Sequence, residues 1–178
     1  YGSGGELAMR YTPENNKRVG VVGLGVGTVA GFAEAGDQYW LYDINPAVVN
    51  LSADDVAQFT YCINARDRGA SVEIVPGDAR LAMERELRTE KNRQLDVLVL
   101  DAFSSDSIPV HLLTLESLKL YDQHLKPGGV LAIHISNRYL NLEPVVRRLA
   151  AKLGFGMIEV DSPGGEDYGQ DWVYAATW

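Results

Sequence analysis

Short apolar runs alternate with segments of helical spacing along most of the chain. The apolar runs predict five strands, over Arg18–Gly23, Tyr39–Asp43, Ser71–Val75, Leu95–Leu100 and Val130–Ile135. The segments between them predict helices over Thr28–Ala35, from Pro46 onward, and over Ala79–Arg88, His111–Leu125 and Leu142–Leu153. Continuous apolar strands joined by helices indicate a parallel sheet that is covered on both faces.

The pattern changes after Gly154. Two further strands, Phe155–Val160 and Asp171–Thr177, are joined only by a segment that starts with the turn-rich Ser162-Pro163-Gly164-Gly165, so they are expected to pair antiparallel. Five parallel strands followed by an antiparallel hairpin predict an α/β fold of the class I S-adenosylmethionine-dependent methyltransferase-like, Rossmann-like kind. We expect residues 1–17 to be an N-terminal tail or linker and residues 18–178 to form one nucleoside-binding catalytic domain.

The chain of 178 residues carries a net charge of −8 and has a pI near 4.8. An acidic surface disfavours nucleic acid as a partner, because phosphate binding needs clustered Lys and Arg. It suits a cationic small molecule, or it serves only to keep the protein in solution. The single cysteine, Cys62, is expected to pack in the core of a reduced, cytoplasmic protein. Because the sequence begins at Tyr1, we expect it to be part of a longer protein.

The strongest motif is Gly23-Leu24-Gly25-Val26-Gly27, at the transition from the first strand to the first helix. Glycines there permit a tight turn and a close approach of the backbone to a ligand. Asp43 follows Gly23 by 20 positions and ends the second strand, where a carboxylate can accept both hydroxyls of a ribose. The alternative is a structural turn and a surface aspartate.

A dinucleotide is a second candidate ligand for this turn. The register that starts at Gly23 places Thr28 where a dinucleotide-binding motif has its third glycine, whereas the register from Gly25 reads GxGxxA and fits formally. The antiparallel tail and the acidic residues farther along the chain favour an adenosyl sulfonium compound.

Acidic residues also follow the third and fourth strands. Asp78 follows Gly77 and precedes Ala79, the first residue of a predicted helix, so it either accepts from an adenine amino group or caps that helix. Asp101 and Asp106 belong to a polar segment at the carboxyl edge of the sheet, where open α/β sheets bind ligands. Together they can hold an ammonium group and remove its proton, although Asp106 is also a candidate helix cap.

Two histidines lie close to these acidic residues. We interpret His111 as a packing or surface residue. His134 lies near the carboxyl end of the fifth strand, where it either faces the site or is a core histidine.

Five segments together resemble the spermidine synthase family of aminopropyltransferases. They are VGVVGLGVGTVA, YDINPAVV, GDAR, LDVLVLDAFSSDSIPVHLLT and LKPGGVLAIHISNRYLNLEPVV. The resemblance covers roughly Arg18–Phe155 and is greatest for the bacterial branch in which such a domain follows a membrane-embedded portion. It implies transfer of an aminopropyl group from decarboxylated S-adenosylmethionine to a diamine such as putrescine, without a metal. It leaves open a membrane domain upstream, which would place the protein at the cytoplasmic face of the membrane. It also leaves open a homodimer.

The resemblance also implies roles for individual residues. The donor would be cradled by Gly23, Gly25 and Gly27, its ribose held by Asp43, and its adenine bound at Asp78 and Ala79. Asp101 would deprotonate the attacking amine, with Asp106 as the second acid. The chain departs from the family pattern at the inserted Ala102-Phe103, at Ser107 in place of proline, and at His134 in place of the usual glutamine.

Two other functions fit the same fold. A methyltransferase would bind S-adenosylmethionine itself, and its donor carboxylate would need a cationic or amide partner. No Lys or Arg occurs within Gly23–Gly27 or Asp101–Pro109, which favours the aminopropyltransferase. The third candidate is a non-catalytic nucleoside-binding domain of a membrane protein.

Overall fold

The structure, a computed structural model, describes residues 16–52, 58–102, 108–135, 140–162 and 170–176. Its seven strands are β1 (Arg18–Val22), β2 (Gln38–Asp43), β3 (Ser71–Pro76), β4 (Leu95–Leu100), β5 (Leu125–His134), β6 (Gly156–Ser162) and β7 (Gln170–Ala176). They form one sheet in the order β3-β2-β1-β4-β5-β7-β6.

The described helices lie between these strands. They are α1 (Pro46–Ser52), α2 (Tyr61–Asp67), α3 (Ala79–Arg88), α4 (Leu115–His124) and α5 (Glu143–Leu153), with shorter 3-10 helices at Thr28–Phe32 and Val110–Leu112. Within the ranges given above, no helix combines the length and the apolar character that a membrane crossing requires.

The strand pairing confirms the predicted architecture. Strands β1 to β5 pair in parallel, whereas β7 pairs antiparallel with both β5 and β6. From β1 the chain runs outward through β2 to β3 and then returns to the other side of β1 to form β4. The order of strands therefore reverses between β1 and β4, and the carboxyl ends of strands at such a point border a crevice in open α/β sheets.

The central strand β4 separates the two halves of the hydrophobic core. Every residue of Leu95–Leu100 is buried. Leu98 and Leu100 belong to the cluster on one face of the sheet, and Val97 and Val99 belong to the cluster on the other. Because successive side chains of a strand point to opposite faces, this apolar run fills both layers at once.

Several element boundaries differ from those predicted. The helix predicted from His111 begins at Leu115, because the Thr114 hydroxyl accepts from the backbone N–H of Ser117 and caps it there. The sequence Lys126-Pro127-Gly128-Gly129 is expected to end that helix, and it forms the first part of β5, which starts at Leu125. A Cβ on Gly129 would lie 2.8 Å from the carbonyl oxygen of Leu95, so glycine permits this close passage beside β4.

The first predicted helix is shorter than expected, and Lys17, the last residue of the predicted tail, is hydrogen-bonded to described residues. A 3-10 helix over Thr28–Phe32 replaces the helix expected to reach Ala35. Residues 1–15 lie outside the described residues. Lys17 is joined to the sheet, since its N–H donates to the Asp37 carboxylate over 2.8 Å and its carbonyl accepts from Gln38 over 2.7 Å.

His124 is completely buried at the end of α4. Its Nε2 lies 3.0 Å from the carbonyl oxygen of Met83, and a carbonyl can only accept, so Nε2 carries the proton that is donated. Burial lowers the pKa of this imidazole, because the charged form would lose its hydration.

We expect His124 to make the protein less stable as the pH falls. Unfolding releases the imidazole to water, where its pKa is about 6.5, so below that pH the unfolded chain binds a proton that the native chain excludes. The free energy of unfolding should decrease by up to about 1.4 kcal/mol per pH unit below a pH of about 6.5. The decrease should be absent in His124→Gln, which can still donate to Met83. Equal slopes in urea denaturation of both proteins would contradict this assignment.

Candidate functional site

A cleft of about 510 Å³ opens at the carboxyl ends of β1, β2 and β4. The strand ends and the turns after them supply its walls, which places it at the reversal of strand order. The residues that border it are Val22, Gly23, Gly25, Tyr42, Asp43, Ile44, Asn45, Val48, Gly77, Asp78, Ala79, Asp101, Ala102, Pro109, His111 and Leu112.

The glycine turn begins at Gly23, where two chain segments pass very close together. Gly23 has a φ of +97°, and a Cβ there would meet the carbonyl oxygen of Asp101 and lie 2.7 Å from its carbonyl carbon. Gly25, with a φ of +52°, borders the cleft on the same turn. Both positions therefore need the backbone freedom of glycine, and Gly23 also needs the absence of a side chain.

Gly27 follows Gly25 on the same turn, and its contact with a donor stays a prediction. It does not border the cleft. It precedes the 3-10 helix with a φ of +80°, and a Cβ on it would lie 3.0 Å from Sγ of the buried Cys62. The third glycine thus allows the turn to pack on α2, and the cleft is left with Gly23 and Gly25.

Asp43 holds the glycine turn and the start of the next loop. Its Oδ2 accepts from the N–H of Leu24 over 2.9 Å, and its Oδ1 accepts from the N–H of Asn45 over 2.8 Å. Each carboxylate oxygen has a second lone pair, so these bonds leave acceptor capacity at the border of the cleft. The predicted bond to a ribose is compatible with this geometry and stays a prediction.

Asp78 is a helix cap that also borders the cleft, and its contact with an adenine stays a prediction. It is the N-cap of α3, with Oδ1 accepting from the N–H of Leu81 over 2.9 Å, and it also borders the cleft together with Ala79. Its Oδ2 lies 3.0 Å from Nε2 of His111. His111 therefore borders the cleft as well, a position that its sequence context did not reveal.

Asp101 is the first residue after β4, and it is buried and borders the cleft. Its Oδ1 lies 2.7 Å from Nδ1 of His134. The structure thus places His134 beside the predicted base, although His134 is not among the residues that border the cleft. Asp106 lies outside the described residues.

The formally charged side chains among the described residues that border the cleft are all acidic. Asp43, Asp78 and Asp101 border it, and none of the described residues that border it is Lys or Arg. Within the described ranges, no group of three or more His, Cys, Asp or Glu side chains is arranged to hold a metal ion. The cleft is therefore suited to a ligand that carries positive charge.

Comparison with models of known protein families finds no match, and comparison with curated proteins finds none either. Solved structures do resemble the chain. Spermidine synthase from Thermotoga maritima superposes with a TM-score of 0.68 at 18% identity, over 96% of this chain and 57% of that one. A spermidine synthase in complex with the transition state analogue AdoDATO gives a TM-score of 0.71 at 18% identity, over 98% of this chain and 60% of that one.

Human methyltransferase-like protein 13 in complex with SAH superposes equally well, with a TM-score of 0.69 at 16% identity over 99% of this chain and 77% of that one. The chain has the class I methyltransferase-like fold. At these identities the likeness establishes the fold and not the reaction. The chain spans less than two thirds of either spermidine synthase, so the activity of those longer proteins does not transfer with this fold.

Two glycines of this class I fold allow the close passage at Gly23 to be tested. Gly77→Ala should cost about 1–2 kcal/mol of unfolding free energy, because its φ of +117° is strained for alanine although no atom lies within 4 Å of the new Cβ. Gly23→Ala should cost more, since it adds a collision with the Asp101 backbone to a similar φ strain. Urea denaturation measures both, and equal losses would contradict the steric part of the argument.

Proposed function

We propose that this chain binds decarboxylated S-adenosylmethionine in the cleft and transfers its aminopropyl group to a diamine. The observation that carries the proposal is the acidic border of the cleft, which is formed in part by Asp43, Asp78 and Asp101 and by no described Lys or Arg. The donor has a sulfonium and an ammonium group but no carboxylate, so both of its charges are opposite in sign to those of the cleft. The likeness to two spermidine synthases supports the same choice.

The order of the strands suggests how such a donor lies. Asp43 ends β2, Asp78 follows β3, and Asp101 follows β4 on the far side of β1. In the proposed complex the ribose hydroxyls donate to Asp43, the adenine lies toward Asp78 and His111, and the sulfonium passes the glycine turn. The aminopropyl chain then reaches the buried carboxylate of Asp101.

The proposed reaction needs one base and no covalent intermediate. The acceptor amine attacks the aminopropyl methylene carbon that is bonded to sulfur, so a nitrogen–carbon bond forms as that carbon–sulfur bond breaks. The electron pair of the broken bond goes to sulfur, and methylthioadenosine leaves as a neutral thioether. Asp101 accepts the proton that the nitrogen loses. In the proposed complex the amine would lie close to this carboxylate, which directly follows a central strand and is held by it.

A methyltransferase is the second candidate, since the methyltransferase with bound SAH superposes as well as the spermidine synthases. Such an enzyme would have to bring the carboxylate of S-adenosylmethionine into this acidic cleft. Like charges in a partly desolvated site repel strongly, so the described residues favour the decarboxylated donor.

The choice of donor can be measured by calorimetry. The chain should bind decarboxylated S-adenosylmethionine more tightly than S-adenosylmethionine, and Asp101→Asn should reduce that ratio because it removes a negative charge. Methylthioadenosine, which lacks the charged side chain, should bind both proteins with similar affinity. Tighter binding of S-adenosylmethionine by the wild-type chain would favour the methyltransferase, and binding of none of the three nucleosides would contradict both candidates.

The base can be tested by turnover with putrescine. Asp101→Asn keeps the size and one acceptor but loses the basicity, so kcat should fall by roughly 10²–10⁴-fold. Asp67→Asn is the matched control, because Asp67 is exposed and does not border the cleft. Near wild-type transfer by the Asp101 variant would rule out this residue as the base. Nucleoside binding without transfer by the wild-type chain would favour a non-catalytic binding domain.

A further inference from the structure

His134 and Asp101 are brought together by the pairing of two parallel strands. Leu100 of β4 pairs with Ile133 of β5, so the next residues along the two strands, Asp101 and His134, lie side by side. Neighbours in the same register of a parallel pair project to the same face of the sheet. The side chain of Asp101 is 4% exposed and that of His134 is 13% exposed, so the pair lies almost entirely within the protein.

The direction of the hydrogen bond follows from the chemistry of its two groups. An ionised carboxylate has no proton to give, so Nδ1–H of His134 donates to Oδ1 of Asp101 over 2.7 Å. This bond selects the tautomer of the ring. Among the described residues, none donates a hydrogen bond to the second carboxylate oxygen of Asp101, Oδ2.

We propose that His134 is the positioning residue for Asp101. Its Nδ1–H fixes one carboxylate oxygen and thereby sets the rotation of the carboxylate, so that Oδ2 is the oxygen that takes the proton from the substrate amine. This role rests on the proposed function, because it assigns to Asp101 an amine proton to accept. His134 itself acts only through Asp101.

The other two histidines give the comparison that makes this inference specific. His124 donates from Nε2 to the carbonyl of Met83, and His111 has Nε2 3.0 Å from the Asp78 carboxylate. Both hydrogen bonds favour the imidazole tautomer that carries its proton on Nε2. The side chain of His111 is 49% exposed, so water competes for that bond. His134 is therefore the histidine in this chain that the structure assigns to the opposite tautomer, with its proton on Nδ1. Its bond to Asp101 also lies within a buried pair of side chains.

Histidine tautomers can be read directly from the nitrogen chemical shifts of the three imidazoles. At a pH of about 9, where free imidazole is neutral, two-bond and three-bond proton–nitrogen correlations should show the proton of His134 on Nδ1. The same spectrum should show the proton of His124 on Nε2, which serves as the internal reference. A proton on Nε2 of His134 would overturn the proposal whatever the enzyme activity is.

Two substitutions separate positioning from simple structural support. His134→Asn places an amide N–H at the position that Nδ1 occupies, whereas His134→Leu removes the donor. We expect kcat with putrescine to fall by roughly 10–100-fold in His134→Leu, with an unchanged KM for the donor, and to recover to within a few-fold in His134→Asn. Unchanged binding of methylthioadenosine shows that each variant is folded. Equal kcat values for the Leu and Asn variants would contradict the positioning role.

The two experiments also separate this inference from the proposed function. The nitrogen shifts test the bond between His134 and Asp101 in the protein without substrate. Absence of aminopropyl transfer in the wild-type chain would contradict the proposed function, while a Nδ1 proton on His134 would still support the bond. Transfer at the wild-type rate in His134→Leu would contradict the inference and leave the proposed function intact.

Discussion

The close passage of Gly23 by the Asp101 backbone is the constraint on which the site depends. The N–H of Asp101 donates to the carbonyl of Val22 over 2.8 Å, so the end of β4 continues the sheet beside β1 up to the glycine turn. A Cβ at Gly23 would separate them. Because it is absent, the carboxylate that follows β4 lies directly beside the turn that would receive a ligand. Removing this contact would move the acid away from the glycines although each strand could remain intact.

Asp43, on the other side of β1, both fixes the backbone of the glycine turn and borders the cleft. Its two oxygens hold the N–H groups of Leu24 and Asn45, and it borders the cleft as well. The bond from the Leu24 N–H is partly buried, and such a bond to a charged acceptor stabilises more than one to a neutral acceptor does. A ligand hydroxyl that donates to Asp43 would therefore meet an acceptor already fixed in place, and ordering it would cost little on binding.

The sequence predicted the sheet well because its strands are strongly apolar and are separated by clear turn residues. Asp43, Asp78 and Asp101 could also be located, since each follows a predicted strand and parallel strands end at one edge. Helix starts were less predictable. The capping hydroxyl of Thr114, five residues after Pro109, starts the α-helix late, so His111 lies in a 3-10 helix beside Asp78 and not in the α-helix. The bond between His134 and Asp101 depends on the register of β4 and β5, which no local pattern encodes.

The local structure after the glycine turn bears on the choice between a dinucleotide and an adenosyl sulfonium compound. A diphosphate is bound well at the N-terminus of a long helix, where free N–H groups and the helix dipole face the ligand. Here the turn leads into a five-residue 3-10 helix, Thr28–Phe32, and the described border of the cleft has carboxylates without Lys or Arg. Two phosphates would add negative charge to an acidic cleft, whereas a sulfonium and an amine bring the opposite charge. The same doubly wound sheet serves both kinds of ligand, so the short helix and the charge of the cleft, and not the fold, favour the cationic one.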